Sequence, residues 1–84
     1  MGISKNDKLK IEILKKLSEN GHEMSLNSLR AELGGLNYYK VKNNCDFLEL
    51  LGYIKNEKKG IRSVEYNFIS ITDKGIDLIL EFKK

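Results

Sequence analysis

Within six consecutive residues the chain sets Tyr38, Tyr39, Lys40, Lys42 and Asn43. Each side chain carries a hydrogen-bonding group of the kind that meets nucleic acid. A lysine neutralises a phosphate or donates to guanine. An asparagine can make a two-bonded contact to adenine. A tyrosine hydroxyl serves a phosphate, and its ring can touch the thymine methyl. Further along, Lys58, Lys59 and Arg62 cluster in "KKGIRS". Cations in such a cluster act on any phosphate backbone by releasing its counterions. The chain has 84 residues and a net charge of +3. Residues 38–62 hold six basic and three acidic side chains, so the whole excess is matched within that middle stretch. A solvated surface or a nucleic-acid footprint both fit that distribution.

Other chemistries find little footing. His22 is the only histidine and is expected in a short strand beside a turn, in a structural or solvent-facing role. Cys45 is the only cysteine, so no internal disulfide can form, and a reducing, cytoplasmic setting is expected. Cys45 should lie on a core face, whereas a redox sensor needs an exposed thiol of low pKa. No Cys/His cluster has metal-ligand spacing, and "LGGL" lacks the pattern of a phosphate loop. Neither an enzyme nor a cofactor is expected. No apolar run is long enough to span a bilayer, and no signal-peptide pattern begins the chain.

These residues must be positioned by helices and a hairpin. Helix 1 is expected over 7–20, capped by Asn6 or Asp7, with Leu9, Ile13, Leu14 and Leu17 inward and Ile11 pointing away. "HEMS" should be short and extended. Helix 2 is expected over 26–33, capped by Ser25 and closed by Gly34-Gly35. Helix 3 is expected over 38–51, capped by Asn37. At 100° per residue its Val41, Cys45 and Leu48 share one face, with Tyr39, Lys42, Asn43 and Asp46 opposite. Tyr38 falls on the flank, where packing and contact are both open to it. Asn44 lies nearer the buried edge and is expected to be structural. Asp46 would repel phosphate, so a contact surface should end before it. A wing hairpin is expected over 53–71, with its turn at "KKGIRS" and a bulge or bend at Phe68-Ile69, where the alternation changes phase. A last helix is expected over 73–82, with Ile76, Ile79 and Leu80 on its apolar face. The expectation is one α+β domain over 1–84: a three-helix core, a wing of two or three strands, and a C-terminal helix.

The stretch "GLNYYKVKNNCDFLELLGYI" resembles a pattern in small winged helix-turn-helix regulators. In that pattern Gly-Ile-Ser, a variable pair and Thr-Val-Ser-Arg precede spaced leucines closing on Leu-Gly-Leu-Ile. Gly35-Leu36-Asn37 stands for the turn and cap, Val41 for the buried valine, and Cys45 and Leu48 for the spaced leucines. Leu51-Gly52-Tyr53-Ile54 stands for the exit. "NFISITDKGIDLI" is similar to the element that opens the last helix in MarR- and PadR-like regulators. The resemblance spans roughly residues 7–82 and points to an archaeal or archaeal-virus type. Three positions depart from it. Arg30 stands where a small alanine is common, the Gly34-Gly35 turn is one residue longer, and Asn43 replaces a usual arginine.

The resemblance implies a transcriptional regulator that binds double-stranded DNA as a homodimer. Tyr38, Tyr39, Lys40, Lys42 and Asn43 would enter the major groove. Lys58, Lys59 and Arg62 on the wing would meet the backbone or minor groove. Ile11, Leu78 and Phe82, with Leu50 beside them, exceed what one small core can take and are expected at the dimer interface. A weakly specific architectural DNA binder and a protein-interaction module are the other roles the residues allow. No small-molecule ligand is evident.

Overall fold

The computed structural model describes residues 8–61 and 64–82, without the side chains of residues 61, 64, 65 and 82. The expected caps Asn6 and Asp7, the wing residue Arg62 and the side chain of Phe82 lie outside the described residues. In chain order the elements are α1 (Lys8–Glu19), β1 (Glu23–Ser25), α2 (Leu26–Glu32), α3 (Tyr38–Leu50), β2 (Ile54–Ile61), β3 (Val64–Ile71) and α4 (Asp73–Phe82). The fold is α+β, and its sheet has three antiparallel strands in the order β1-β3-β2.

The first three helices bury the stripes their periodicity sets. Ile13, Leu14 and Leu17 from α1 meet Leu26 and Leu29 from α2 and Val41, Cys45 and Leu48 from α3. Met24, Ile54, Ile69 and Ile71 close this core from the sheet, and Ile79 closes it from α4. The starts of α2 and α4 are fixed by hydrogen bonds within three residues. Ser25 Oγ accepts the Ser28 amide at 3.1 Å, which caps α2. Thr72 Oγ1 accepts the Gly75 amide at 3.2 Å and donates to the Gly52 carbonyl at 2.7 Å. One threonine thereby caps α4 and ties it to the end of α3.

Four expectations need correcting. First, β2 and β3 pair without interruption from Ile54↔Ile71 to Ile61↔Val64, so there is no bulge at Phe68-Ile69. The alternation changes phase because the strand uses both faces. Ile69 and Ile71 point into the core, while Tyr66 and Phe68 lie on the opposite face. Second, the same register puts Lys58, Lys59 and Gly60 inside β2. Third, His22 precedes the strand. It takes a left-handed φ of 72°, and its amide donates to the Leu17 carbonyl at 2.8 Å, extending the turn that ends α1.

The fourth concerns α4. Leu78 is half-buried against the core, whereas Leu80 is 55% exposed. The cause is Gly75, the point of closest approach. A β-carbon there would lie 2.7 Å from Ile71 Cγ1 and closer still to the Tyr53 carbonyl oxygen. The helix therefore rests on its Gly75 side, and Leu78, one turn on, turns inward. Ile11 is likewise half-buried against the core.

Candidate nucleic-acid interface

The N-terminal half of α3 carries the densest set of exposed polar groups identified from the sequence. Asn37 begins it. Its Oδ1 accepts the Tyr39 amide at 2.9 Å and the Lys40 amide at 3.2 Å, so two of the helix's otherwise unpaired N–H groups are satisfied by one side chain. On the inner face Val41, Cys45 and Leu48 are wholly buried, which fixes the rotation of the helix about its own axis. The opposite face must then look outward. Tyr39 is 68% exposed, and Lys40 and Asn43 are exposed.

Tyr38 is half-buried against the core, and its ring meets that of Tyr39 edge-on, with centroids 5.3 Å apart. Asn44 Nδ2 donates to the Lys40 carbonyl at 2.7 Å, one turn back, so its amide is committed within the helix. Lys42 is committed differently. Its Nζ lies 3.0 Å from Asp46 Oδ2. The hydrogen bond and the charge of Asp46 raise the lysine's pKa above its ordinary value. Both partners are well exposed, so the pair adds little to stability and is screened by salt. Asp46 thus closes the polar face by holding Lys42.

In the wing hairpin, β2 lies across the sheet from β1. Lys58 and Lys59 are both exposed on β2. Lys59 Nζ sits 2.9 Å from Glu23 Oε1 on β1, reaching across β3 between them, and 4.8 Å from the centroid of Phe68. The hydrogen bond to Lys59, then its charge, holds the Glu23 carboxyl below the usual carboxylate range. The hydrogen bond to Glu23 holds Lys59 above the usual lysine range. The sequence carried no sign of this pair. Its members are 36 residues apart, and only the β1-β3-β2 order makes them neighbours.

A cleft of about 150 Å³ joins the start of α3 to the sheet. It is lined by Ser25, Leu26, Asn27, Tyr38, Tyr66 and Asn67. Sequence reasoning missed Asn27, Tyr66 and Asn67. A strand tyrosine followed by asparagine carries no local signal, and their place beside Tyr38 depends on packing between distant elements.

The described residues bring no three His, Cys, Asp or Glu side chains into a metal-binding group. Burial first, then the charges of Asp46 and Glu49, pushes the Cys45 thiol up to about 12. At neutral pH it is a protonated core group, unsuited to nucleophilic or redox-sensing work. No helix among the described residues is long and apolar enough to cross a membrane.

No protein-family model matches the chain, and no curated protein matches it by sequence. Solved structures do match it in shape. A transcriptional regulator homologue from Pyrococcus horikoshii OT3 superposes with a TM-score of 0.80 at 19% identity, covering 92% of this chain and 74% of that one. The complex structure of hsRosR-S1 gives 0.77 at 20% identity, covering 89% of this chain and 67% of the other. BpsR of Bordetella bronchiseptica, whose DNA binding is regulated by 6-hydroxynicotinic acid, gives 0.78 at 14% identity over 96% of this chain and 61% of its own. The fold is a winged helix-turn-helix. In that frame α2 and α3 are the helix-turn-helix, and β2 and β3 form the wing.

Proposed function

We propose that this winged helix is a DNA-binding transcriptional regulator whose α3 enters the major groove. The observation that carries the proposal is the exposed polar face at the start of α3. Tyr39, Lys40, Lys42 and Asn43 lie there, on a helix end held by Asn37 and by a buried inner stripe. The N-terminal residues of a recognition helix are the ones that reach base edges. Tyr38 then contributes its hydroxyl from the flank, and Lys58, Lys59 and Arg62 meet the backbone or the minor groove. The neighbours in fold support this reading, since they include proteins described as a transcriptional regulator and as a DNA binder.

A specific reader fits better than an architectural one. Lys42 and Lys59 each have a carboxylate of the same chain within 3.0 Å. Two candidate cations are thus partly neutralised before any phosphate arrives, which weakens purely electrostatic binding.

The assembly we propose is a homodimer built on the terminal helices. Ile11 and Leu78 sit at the edge of the core, and Leu80 extends the surface of α4 outward. A two-fold dimer would set two copies of α3 one DNA turn apart and give a near-palindromic site.

Selection of bound duplexes from a random pool at two salt concentrations tests the function. A palindromic motif is the expected result. Binding without a motif would favour the architectural role, and no binding at low salt would favour a protein-interaction module. Light scattering tests the assembly, and a monomer at tens of micromolar, with or without DNA, would overturn the dimer.

A further inference from the structure

We propose that Arg30 is a positioning residue that sets where α3 begins and how its first turn is presented; its consequence for DNA rests on the proposed role of α3. Arg30 stands in the last turn of α2 and occupies a position where the resembled family commonly has alanine. Its side chain crosses the turn. Nε donates to the Leu36 carbonyl at 3.0 Å in a partly buried bond. Its guanidinium carbon lies 5.9 Å from the centroid of the Tyr38 ring, within cation–π range.

The turn it crosses needs such a tie. Gly34 and Gly35 both take left-handed φ values, 85° and 76°. A β-carbon added at either would meet nothing within 4 Å, so no neighbour packs against the turn at these two positions. Two successive glycines lose much backbone entropy on ordering. The backbone closes the end of α2 through Gly34 N–H to the Ala31 carbonyl at 3.1 Å and Gly35 N–H to the Arg30 carbonyl at 2.9 Å. One residue beyond Gly35, the Leu36 carbonyl is taken by the Arg30 side chain, and after it comes the Asn37 cap.

Arg30 therefore grips the turn from both sides, with its carbonyl on Gly35 and its guanidinium on Leu36 and Tyr38. Tyr38 in turn meets Tyr39 edge-on. The clamp thus reaches from α2 to an exposed tyrosine of the candidate DNA face. A lysine could supply one donor to Leu36 but no planar face for Tyr38. Alanine would supply neither.

The test combines amide hydrogen exchange with DNA binding on Arg30→Ala and Arg30→Lys, at full length. In Arg30→Ala, the amides of Tyr39, Lys40 and Val41, all bonded to Asn37, should exchange about tenfold faster, while that of Leu48 is unchanged. Arg30→Lys should fall between, which keeps the test usable if the alanine variant does not fold. Affinity for the selected duplex should drop about tenfold with the slope of log affinity against log salt unchanged.

Unchanged exchange at Tyr39 to Val41 overturns the proposal. So does a salt slope reduced by about 0.9 with exchange unchanged, because Arg30 would then be a phosphate contact itself. If the wild-type protein binds no duplex while Arg30→Ala still accelerates those amides, the DNA reading of α3 fails and the positioning role stands.

Discussion

The start of α3 and the wing both present lysines, but they hold them in different ways. At α3 the fixed groups are backbone ones. The Asn37 side chain takes two amides, Arg30 takes the Leu36 carbonyl, and Val41, Cys45 and Leu48 set the rotation of the helix. Tyr39, Lys40 and Asn43 project from a platform whose position does not depend on their own charges. On the wing, Lys59 is held by an exposed ion pair to Glu23, which salt screens and acid removes. The difference suits two kinds of contact. Discrimination among bases needs side chains placed to a fraction of an ångström, and a buried platform supplies that. Contact with a phosphate backbone tolerates a cation that exchanges one anion for another.

The largest expected effect tests the platform's exposed face. Asn43→Ala should cost about 1–3 kcal/mol in affinity for the preferred duplex, relax preference at one base position and leave the melting temperature unchanged. Competition binding against single-base variants of the selected site measures it. An equal loss on every probe would mean that Asn43 only holds the backbone, and the contrast between helix and wing would shrink.

Next in size is the cap. Asn37→Ala should destabilise the fold by about 1 kcal/mol. For a domain of this length that lowers the melting midpoint by roughly 4–8 °C. A midpoint within 1 °C or so of wild type, followed by circular dichroism, would show that the platform does not depend on Asn37.

On the wing, Lys58→Ala should weaken binding to all sequences alike and lower the salt slope by about 0.9. Lys59→Ala should lower it by less, because Glu23 already competes for that ammonium. Equal slopes for the two variants would show that the ion pair does not restrain Lys59 on DNA.

The smallest effect concerns Glu23 itself. Its carboxyl is held below the usual range, so the ion pair is intact above the ordinary carboxylate pKa and is lost as pH falls through the depressed value. Glu23→Gln should reproduce the acid state at neutral pH and free Lys59. Non-specific binding at low salt should tighten slightly, with a slightly steeper salt slope. Weaker non-specific binding in that variant would mean that Glu23 orients Lys59 for contact instead of withholding it.

Much of the fold was legible because the signals that set it are local. Asn37 followed by apolar residues at Val41, Cys45 and Leu48 specifies a capped helix and its inner face with no knowledge of the rest of the chain. The α+β architecture followed from the order of such segments. The errors came where one segment's surroundings decide. Two apolar runs of opposite phase in β3 resemble a bulge, yet the strand is continuous and uses both faces. Leu80 falls on an apolar stripe with Ile76 and Ile79, yet the helix leans on Gly75 and Leu78 turns inward.

The sequence by itself determined that Ser25 and Asn37 cap their helices, which residues form the inner stripe of α3 and which polar side chains must share its outer face. Those depend on the helical period and on hydrogen bonds within four residues. Only the tertiary structure decided the distant partners of Lys59 and Arg30. Lys59 meets Glu23 because β3 lies between β1 and β2, and Arg30 meets Tyr38 because two glycines fold α3 back toward α2. A side chain's partner is a matter of distance in space. Where a pair depends on sheet order or on the path of a turn, spacing along the chain carries no measure of that distance.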